Sequence, residues 1–264
     1  MQTSSKPFEP TLSVVIPVHN EAGNIAGLLA ETCATLRGIC RFEIVCVDDG
    51  SRDYSLAVLR DAMLSVPELR VLCHAHCSGQ SAALRTGIKA ARATWIATLD
   101  GDGQNDPADL PKLWLQHLNS PHEIKLFAGW RTLRRDSWSK RLGSRVANAV
   151  RQRLLSDATP DTGCGIKLFE RAAFLDLPAF NHMHRYLPAL MQAQGHQTVS
   201  VAVAHRARQT GQSNYSNWGR LQVGLIDIIG VSWLLRRRAV VVSSELLSLP
   251  NYIAEPSRNQ GIAR

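Results

Sequence analysis

The stretch Trp95-Ile96-Ala97-Thr98-Leu99-Asp100-Gly101-Asp102-Gly103-Gln104 decides how this chain is read. Its first half is a short, nearly continuous apolar run, the pattern of a buried strand. The run ends in two carboxylates one residue apart, with an amide two positions on. Carboxylates that close repel, so one protonates or both share a cation. A hard divalent ion suits them, with its oxygen ligands and room for substrate phosphates. Asp and Gly are also ordinary turn residues, so these residues alone leave a polar turn open.

The chain before this stretch repeats its pattern. Leu12 to Val18 reads as a buried strand and is followed by His19-Asn20-Glu21; helical spacing then runs from Asn24 to Arg37. Phe42 to Val47 is a second strand, ending in Asp48-Asp49-Gly50-Ser51, with a helix from about Asp53 to Met63. Leu69 to Cys73 is a third, followed by Gly79 and a helix from about Gln80 to Ala91. Such alternation predicts a mostly parallel sheet with helices on both faces. Sheets of that kind bind ligands beyond the carboxyl ends of their strands. Three polar clusters at three strand ends are harder to attribute to turns than one.

After residue 105 the rhythm loosens. Asp109 to Leu118 predicts a helix, Ile124 to Trp130 a strand, Tyr186 to Gln194 a helix and Thr198 to Ala204 a strand. Gly163 to Phe169 reads as a loop entering a strand, and Arg131 to Leu155 is strongly basic. Leu221 to Leu235 is apolar but short and interrupted by Asp227, with Arg236-Arg237-Arg238 behind it. It is too short to span a bilayer comfortably. It could lie in an interface with Trp233 at headgroup depth, or pack on the core with a solvated basic end. The organisation expected is a disordered leader over 1–10, one α/β domain over 11–215, this helix over 216–242 and a flexible tail over 243–264.

Composition sets the outer limits. The 264 residues carry a formal net charge of +8, which favours an anionic partner. The six cysteines are scattered and suit a reducing compartment better than a disulfide framework. No apolar run reaches the length of an ordinary transmembrane helix. Cys73-His74-Ala75-His76-Cys77 packs four soft ligands into five residues, a spacing that fits no usual zinc pattern. Its ordinary reading is a strand end followed by a loop.

Taken in order, Pro17-Val18-His19-Asn20-Glu21, Val47-Asp48-Asp49-Gly50-Ser51-Arg52-Asp53 and Asp100-Gly101-Asp102-Gly103-Gln104 resemble the three opening signatures of glycosyltransferase family 2. Gly129-Trp130-Arg131, Asp161 with Gly165-Ile166-Lys167-Leu168, and His205 to Ser213 are similar to its dolichol-phosphate mannosyltransferase and polyprenyl-phosphate branch. The resemblance covers roughly residues 11 to 220. It implies a GT-A fold, a nucleotide-sugar donor, Mg²⁺ or Mn²⁺, and a polyprenyl-phosphate acceptor. It further implies that Pro17, His19, Glu21, Val47 and Asp49 cradle the nucleotide, and that Asp100, Gly101 and Asp102 face its diphosphate. Asp100, Asp102 and Gln104 would hold the metal. Asp102, Arg131 and Arg208 would be catalytic, the two arginines contacting donor phosphate or sugar, and Lys167 would meet the acceptor phosphate. His19 stands where an aromatic is usual, Lys167 where Arg is frequent, and Asn214 where mannosyltransferases tend to carry Lys. The last departure weakens GDP-mannose as donor against a UDP-sugar.

A phosphate-monoester acceptor is already anionic, so the resemblance implies in-line displacement with inversion and no strong base. A family 2 enzyme acting on a sugar hydroxyl would need one, and Asp161 is then the candidate. A basic nucleic-acid-binding protein would explain the charge but leave Asp49, Asp100 and Asp102 idle. A transferase fold that has lost catalysis and serves as a scaffold is a third alternative. The expectation adopted is a peripheral enzyme at the cytoplasmic face of an anionic membrane, in cell-envelope glycan synthesis, with no nucleic acid. It would dock through residues 221–238 or through a separate membrane-spanning partner.

Overall fold

A computed structural model describes residues 9–132, 151–155, 157, 159–204, 206 and 217–237. Its strands are β1 (Leu12–Val18), β2 (Phe42–Asp48), β3 (Leu69–Cys73), β4 (Trp95–Thr98), β5 (Ile124–Arg131), β6 (Lys167–Glu170) and β7 (Gln197–Val203). Its helices are α1 (Ile25–Leu36), α2 (Ser55–Ala62), α3 (Gln80–Ala90), α4 (Leu110–Leu118), α5 (Arg171–Leu175), α6 (Leu187–Ala193) and α7 (Asn217–Arg236). The strands form one sheet in the order β3-β2-β1-β4-β6-β5-β7. The pairings β1·β2, β1·β4, β2·β3 and β5·β7 are parallel, while β6 runs antiparallel to both neighbours.

Side chains alternate between two cores. Val14, Ile16, Ile44, Cys46, Ala97 and Leu168 face the layer of α1, α2 and α4. Val15, Val45, Ile96 and Phe169 face the layer of α3, α5, α6 and α7. Burial on both faces is why these strands read as unbroken apolar runs. The order of strands reverses between β1 and β4, which opens a crevice at their carboxyl ends. Because β6 is antiparallel, its amino end, at Lys167, lies beside the carboxyl end of β4, at Thr98. The carboxyl end of β5, at Arg131, joins the same edge.

The expected strands and long helices occur within a few residues of their predicted bounds. Helix α5 has five residues, too few to show a period, and was not expected. The expected helix from Asp109 begins instead as a 3₁₀ turn over Pro107–Asp109, where Asp106 accepts from the Ala108 amide at 2.9 Å. Of the expected leader, residues 9 and 10 are described and Pro10 is buried; residues 1–8, and the expected tail over 243–264, lie outside the described residues. The C-terminal segment packs on the core through one face and leaves the other exposed. Val231 is buried and Ile228, Leu234 and Leu235 pack on the core, while Ile226, Ile229 and Trp233 are exposed. No helix among the described residues is long and apolar enough to cross a membrane.

Candidate active site

Asp100 and Asp102 lie where β4 runs out into the crevice. The Asp100 amide donates to Asn105 Oδ1 at 3.0 Å, and Gln80 Nε2, on the first residue of α3, donates to Asp100 Oδ1 at 2.8 Å. Asp102 Oδ1 accepts from the Gln104 amide at 3.1 Å, folding the turn on itself. Two glycines permit the approach of neighbouring loops. A Cβ on Gly101 would stand 2.8 Å from the Pro17 carbonyl oxygen, and one on Gly165 2.0 Å from Asp100 Oδ2. The loops after β1 and β4 and the entry to β6 therefore touch at one point.

Burial, then the charge of Asp102, pushes the Asp100 carboxyl up to about 6, against the opposing pull of Lys167, Arg131 and Gln80. An acid pair that resists double ionisation is one that a divalent cation would stabilise. The oxygen donors of Asp100, Asp102 and Gln104 fit a hard ion such as Mg²⁺ or Mn²⁺. Gln104 is also fixed by its main chain, whose carbonyl accepts from the Arg206 amide at 3.1 Å. The Arg206 guanidinium spans Asp106 at 2.7 Å and Glu31 at 2.5 Å.

The ends of β1 and β2 form the other wall. His19 Nδ1 is 2.8 Å from the Asp49 carbonyl oxygen, and Glu21 Oε2 accepts from Asn24 Nδ2 at 2.6 Å. Pro17 is partly exposed at this edge. Asp49 is almost fully buried. Its carboxylate accepts from the Ser78 amide at 2.9 Å, the Gly79 amide at 2.8 Å and Cys77 Sγ at 3.3 Å, and pairs with His74 Nδ1 at 2.7 Å. Burial alone would raise its pKa, but these donors outweigh it and hold the carboxyl below the usual range. Asp49 thus clamps the 74–79 loop over this end of the sheet, which is where the Cys73–Cys77 cluster goes. Two of the residues that the resemblance assigns to the nucleotide, Val47 and Asp49, are buried here. Val47 is fully buried within the sheet, so its side chain shapes the wall from behind. The lone pairs of Asp49 are taken by the loop, so its carboxylate positions that loop. Asp48 caps the turn, accepting from the Ser51 amide at 3.3 Å.

Arg131, at the end of β5, makes a two-pronged bond to Asp161, with Nε–Oδ2 at 2.6 Å and Nη2–Oδ1 at 2.9 Å. Both partners are mostly buried. The pairing orients the guanidinium and stabilises Asp161 as an anion with both oxygens engaged, which suits an anchor better than a base. Lys167 is 4% exposed, and its ammonium donates to the Cys164 carbonyl. Arg208 and Asn214, and most of the basic stretch after Arg131, lie outside the described residues. Gln80 and Asn105 brace the crevice without having been singled out. The one sequence signal for Gln80 is its place straight after Gly79 at a helix start.

A family model described as Glycosyl transferase family 2 matches residues 13–177. The dodecaprenyl-phosphate galacturonate synthase of Rhizobium johnstonii is 31% identical over 252 residues, covering 90% of this chain and 74% of that protein. The undecaprenyl-phosphate 4-deoxy-4-formamido-L-arabinose transferase of Pseudomonas paraeruginosa is 35% identical over 215 residues, covering 80% of this chain and 62% of that protein. The chain thus spans about three fifths to three quarters of the length of these relatives. Among solved structures, glucosyl-3-phosphoglycerate synthase of Mycobacterium tuberculosis superposes with a TM-score of 0.63 at 17% identity, over 86% of this chain and 80% of that one. A further structure of that enzyme, described as containing Mn²⁺, UDP and glucosyl-3-phosphoglycerate, gives 0.61 at 19% identity, over 89% of this chain and 82% of that one. The mixed sheet with its crevice between β1 and β4 is the GT-A arrangement, and the chain belongs to glycosyltransferase family 2.

Proposed function

We propose that the protein transfers a glycosyl group from a nucleotide sugar to a polyprenyl phosphate at the cytoplasmic face of a membrane. The observation that carries this reading is the Asp100/Asp102 pair at the switch point of the sheet, shared by the loops after β1 and β4 and the entry to β6. Relatives named as polyprenyl-phosphate transferases support the acceptor. Asp100, Asp102 and Gln104 would hold Mg²⁺ or Mn²⁺. Bound there, the ion supplies Lewis-acid neutralisation of the departing diphosphate.

The remaining work falls to the chain's own residues. Pro17, His19 and Glu21 at the end of β1 hold the nucleoside, and Asp49 keeps the 74–79 loop closed beside it. Arg131, oriented by Asp161 through Nε and Nη2, presents its remaining Nη N–H groups to phosphate oxygens. Arg208 takes the matching role that its motif implies. The acceptor phosphate oxygen attacks the anomeric carbon as the bond to the diphosphate breaks, with inversion. The nucleoside diphosphate leaves, and no proton need be removed because the acceptor enters as an anion. Catalysis is positioning plus charge stabilisation.

Helix α7 gives the docking face. Ile226, Ile229 and Trp233 are exposed, and the exposed Arg237 guanidinium stands 6.0 Å from the Trp233 ring. An apolar stripe ending in arginines suits an anionic membrane surface, whether alone or beside a membrane-spanning partner. The test is a panel of labelled UDP- and GDP-sugars with Mg²⁺ or Mn²⁺ and vesicles containing undecaprenyl phosphate. A labelled lipid is expected with at least one donor. No labelled lipid from any donor, together with no thermal stabilisation by any nucleoside diphosphate, overturns the reading.

A further inference from the structure

A cavity of about 160 Å³ opens beside Asp100 and runs under the sheet edge. At ~30 Å³ per water this is room for about five waters, the scale of one pyranose ring. Its apolar lining includes Phe169, Phe174 and Leu187, each 3% exposed or less. Its charged lining is cationic on balance, with Lys167 and Arg185 against Asp100 alone among the carboxylates.

Lys167 is the unusual member. Its ammonium has three donors, and the one bond the described residues provide is to the Cys164 carbonyl. No carboxylate among the described residues lies within ion-pair distance of it. A buried cation without a counter-charge is costly. Burial accordingly pulls its pKa down, and the charges of Cys164, Asp100 and Asp161 only partly oppose this. His184 is tied to Ser81 at 2.7 Å, and burial, then Lys167 and Arg185, lower its pKa to about 3, so it stays a neutral ring. The cavity thus offers an ammonium with no carboxylate at ion-pair distance among the described residues, and a neutral imidazole, in one lining with Asp100.

We infer that this cavity receives the donor sugar and that Lys167 recognises a carboxylate on it, so that the preferred donor is a nucleoside diphosphate uronate. The inference rests on the transferase reading above and adds the chemical class of the transferred sugar. A sugar carboxylate supplies the counter-charge that Lys167 lacks. A neutral hexose leaves the ammonium unpaired. The acceptor-phosphate role that the family resemblance implies for Lys167 is the competing assignment, and the measurements below separate the two.

UDP-galacturonate and UDP-galactose differ only at C6, so calorimetric titration of both, and of UDP, with Mn²⁺ present isolates the carboxylate. The intact protein is expected to bind the uronate at least about tenfold more tightly than the neutral sugar, the scale of one charge-assisted hydrogen bond. Lys167→Met is expected to bring the two donors within about twofold while UDP alone binds as before. The comparison in the unaltered protein needs no variant, so it stands even where Lys167→Met fails to fold. Equal affinity for the two donors with UDP still bound overturns this inference and leaves the transferase reading intact. A Lys167→Met variant that weakens UDP and both sugars alike, or raises KM for undecaprenyl phosphate alone, also overturns it. Failure of every UDP and GDP species to bind overturns both.

Discussion

Replacing Glu43 by glutamine tests what holds the first half of the sheet in register. Glu43 is 2% exposed in the middle of the β3-β2-β1 block. Its carboxylate accepts from Ser13 Oγ at 2.6 Å, from the Arg92 amide at 2.6 Å and from Arg70 Nη1 at 2.7 Å. Arg70 Nη1 also donates to the Ala90 carbonyl at 3.0 Å, and Ser13 Oγ accepts from the Ala93 amide at 3.1 Å. One buried charge therefore ties β1, β2 and β3 to the turn that delivers β4 and its acid pair. Glutamine keeps the volume but removes the charge and turns an N–H toward one of the three donors. Hydrogen bonds to a charged group contribute about 1.5–3 kcal/mol, and outright loss of one member of a buried pair costs about 3–5. Arg70 is 31% exposed, so part of its charge is hydrated and the lower end applies. The expected loss is about 3 kcal/mol, or about 6–12 °C in Tm for a domain of this size.

The pH dependence separates charge from packing. Burial raises the Glu43 pKa, but the bonds from Ser13, Arg92 and Arg70 outweigh it, so the folded value lies below the ordinary 4.5. Stability from this group is therefore complete above the unfolded pKa and fades as pH falls through the lower folded one. Urea unfolding at pH 7, 5 and 3.5 should show the gap between the two proteins narrowing at the acid end. A variant within about 0.5 kcal/mol of the unaltered protein at pH 7, or a gap that does not change with pH, refutes the reasoning.

The site yields further expectations. Asp102→Asn keeps the acceptor for the Gln104 amide and removes a charge, so the melting curve should hold while Mn²⁺-dependent stabilisation by UDP disappears and kcat falls by about 10²–10³. Arg131→Lys loses the two-pronged grip on Asp161, and kcat/KM should drop by about tenfold or more, with Asp161→Asn similar in size because both acts disorient the same guanidinium. Gly165→Ala drives a methyl group into Asp100, so activity should fall further than stability. Arg236→Ser with Arg237→Ser should weaken sedimentation with anionic vesicles by about 2 kcal/mol, roughly thirtyfold, and leave binding to neutral vesicles unchanged.

Which parts of this molecule could be read from sequence follows from how far apart the interacting residues lie. Strands β1, β2 and β4 were legible because both faces are buried and each run ends in a polar cluster within two or three residues. That placement also brought Asp100, Asp102 and His19 to one edge before any contact was known. The surroundings of those residues were not legible. Asp49 is consumed by the loop near Ser78, some 30 residues on, and Arg131 by Asp161 at the same separation. Lys167 became the buried cation of a cavity because α3 and the Met183–Arg185 turn close over it, and no local period encodes that.

Helix α7 shows the same limit from the other side. Asp227 looked like an interruption of an apolar segment, which left membrane and core readings level. His182 Nδ1 meets its carboxylate at 2.9 Å, from 45 residues upstream. A partner for that charge lets one helix pack Val231 and Leu234 inward while Ile229 and Trp233 remain outside. Core packing and an exposed apolar stripe belong to two faces of one helix. Core packing by one face fixes the orientation of the other, so under the docking proposed above the stripe would meet a bilayer as part of the folded domain rather than as a tethered peptide.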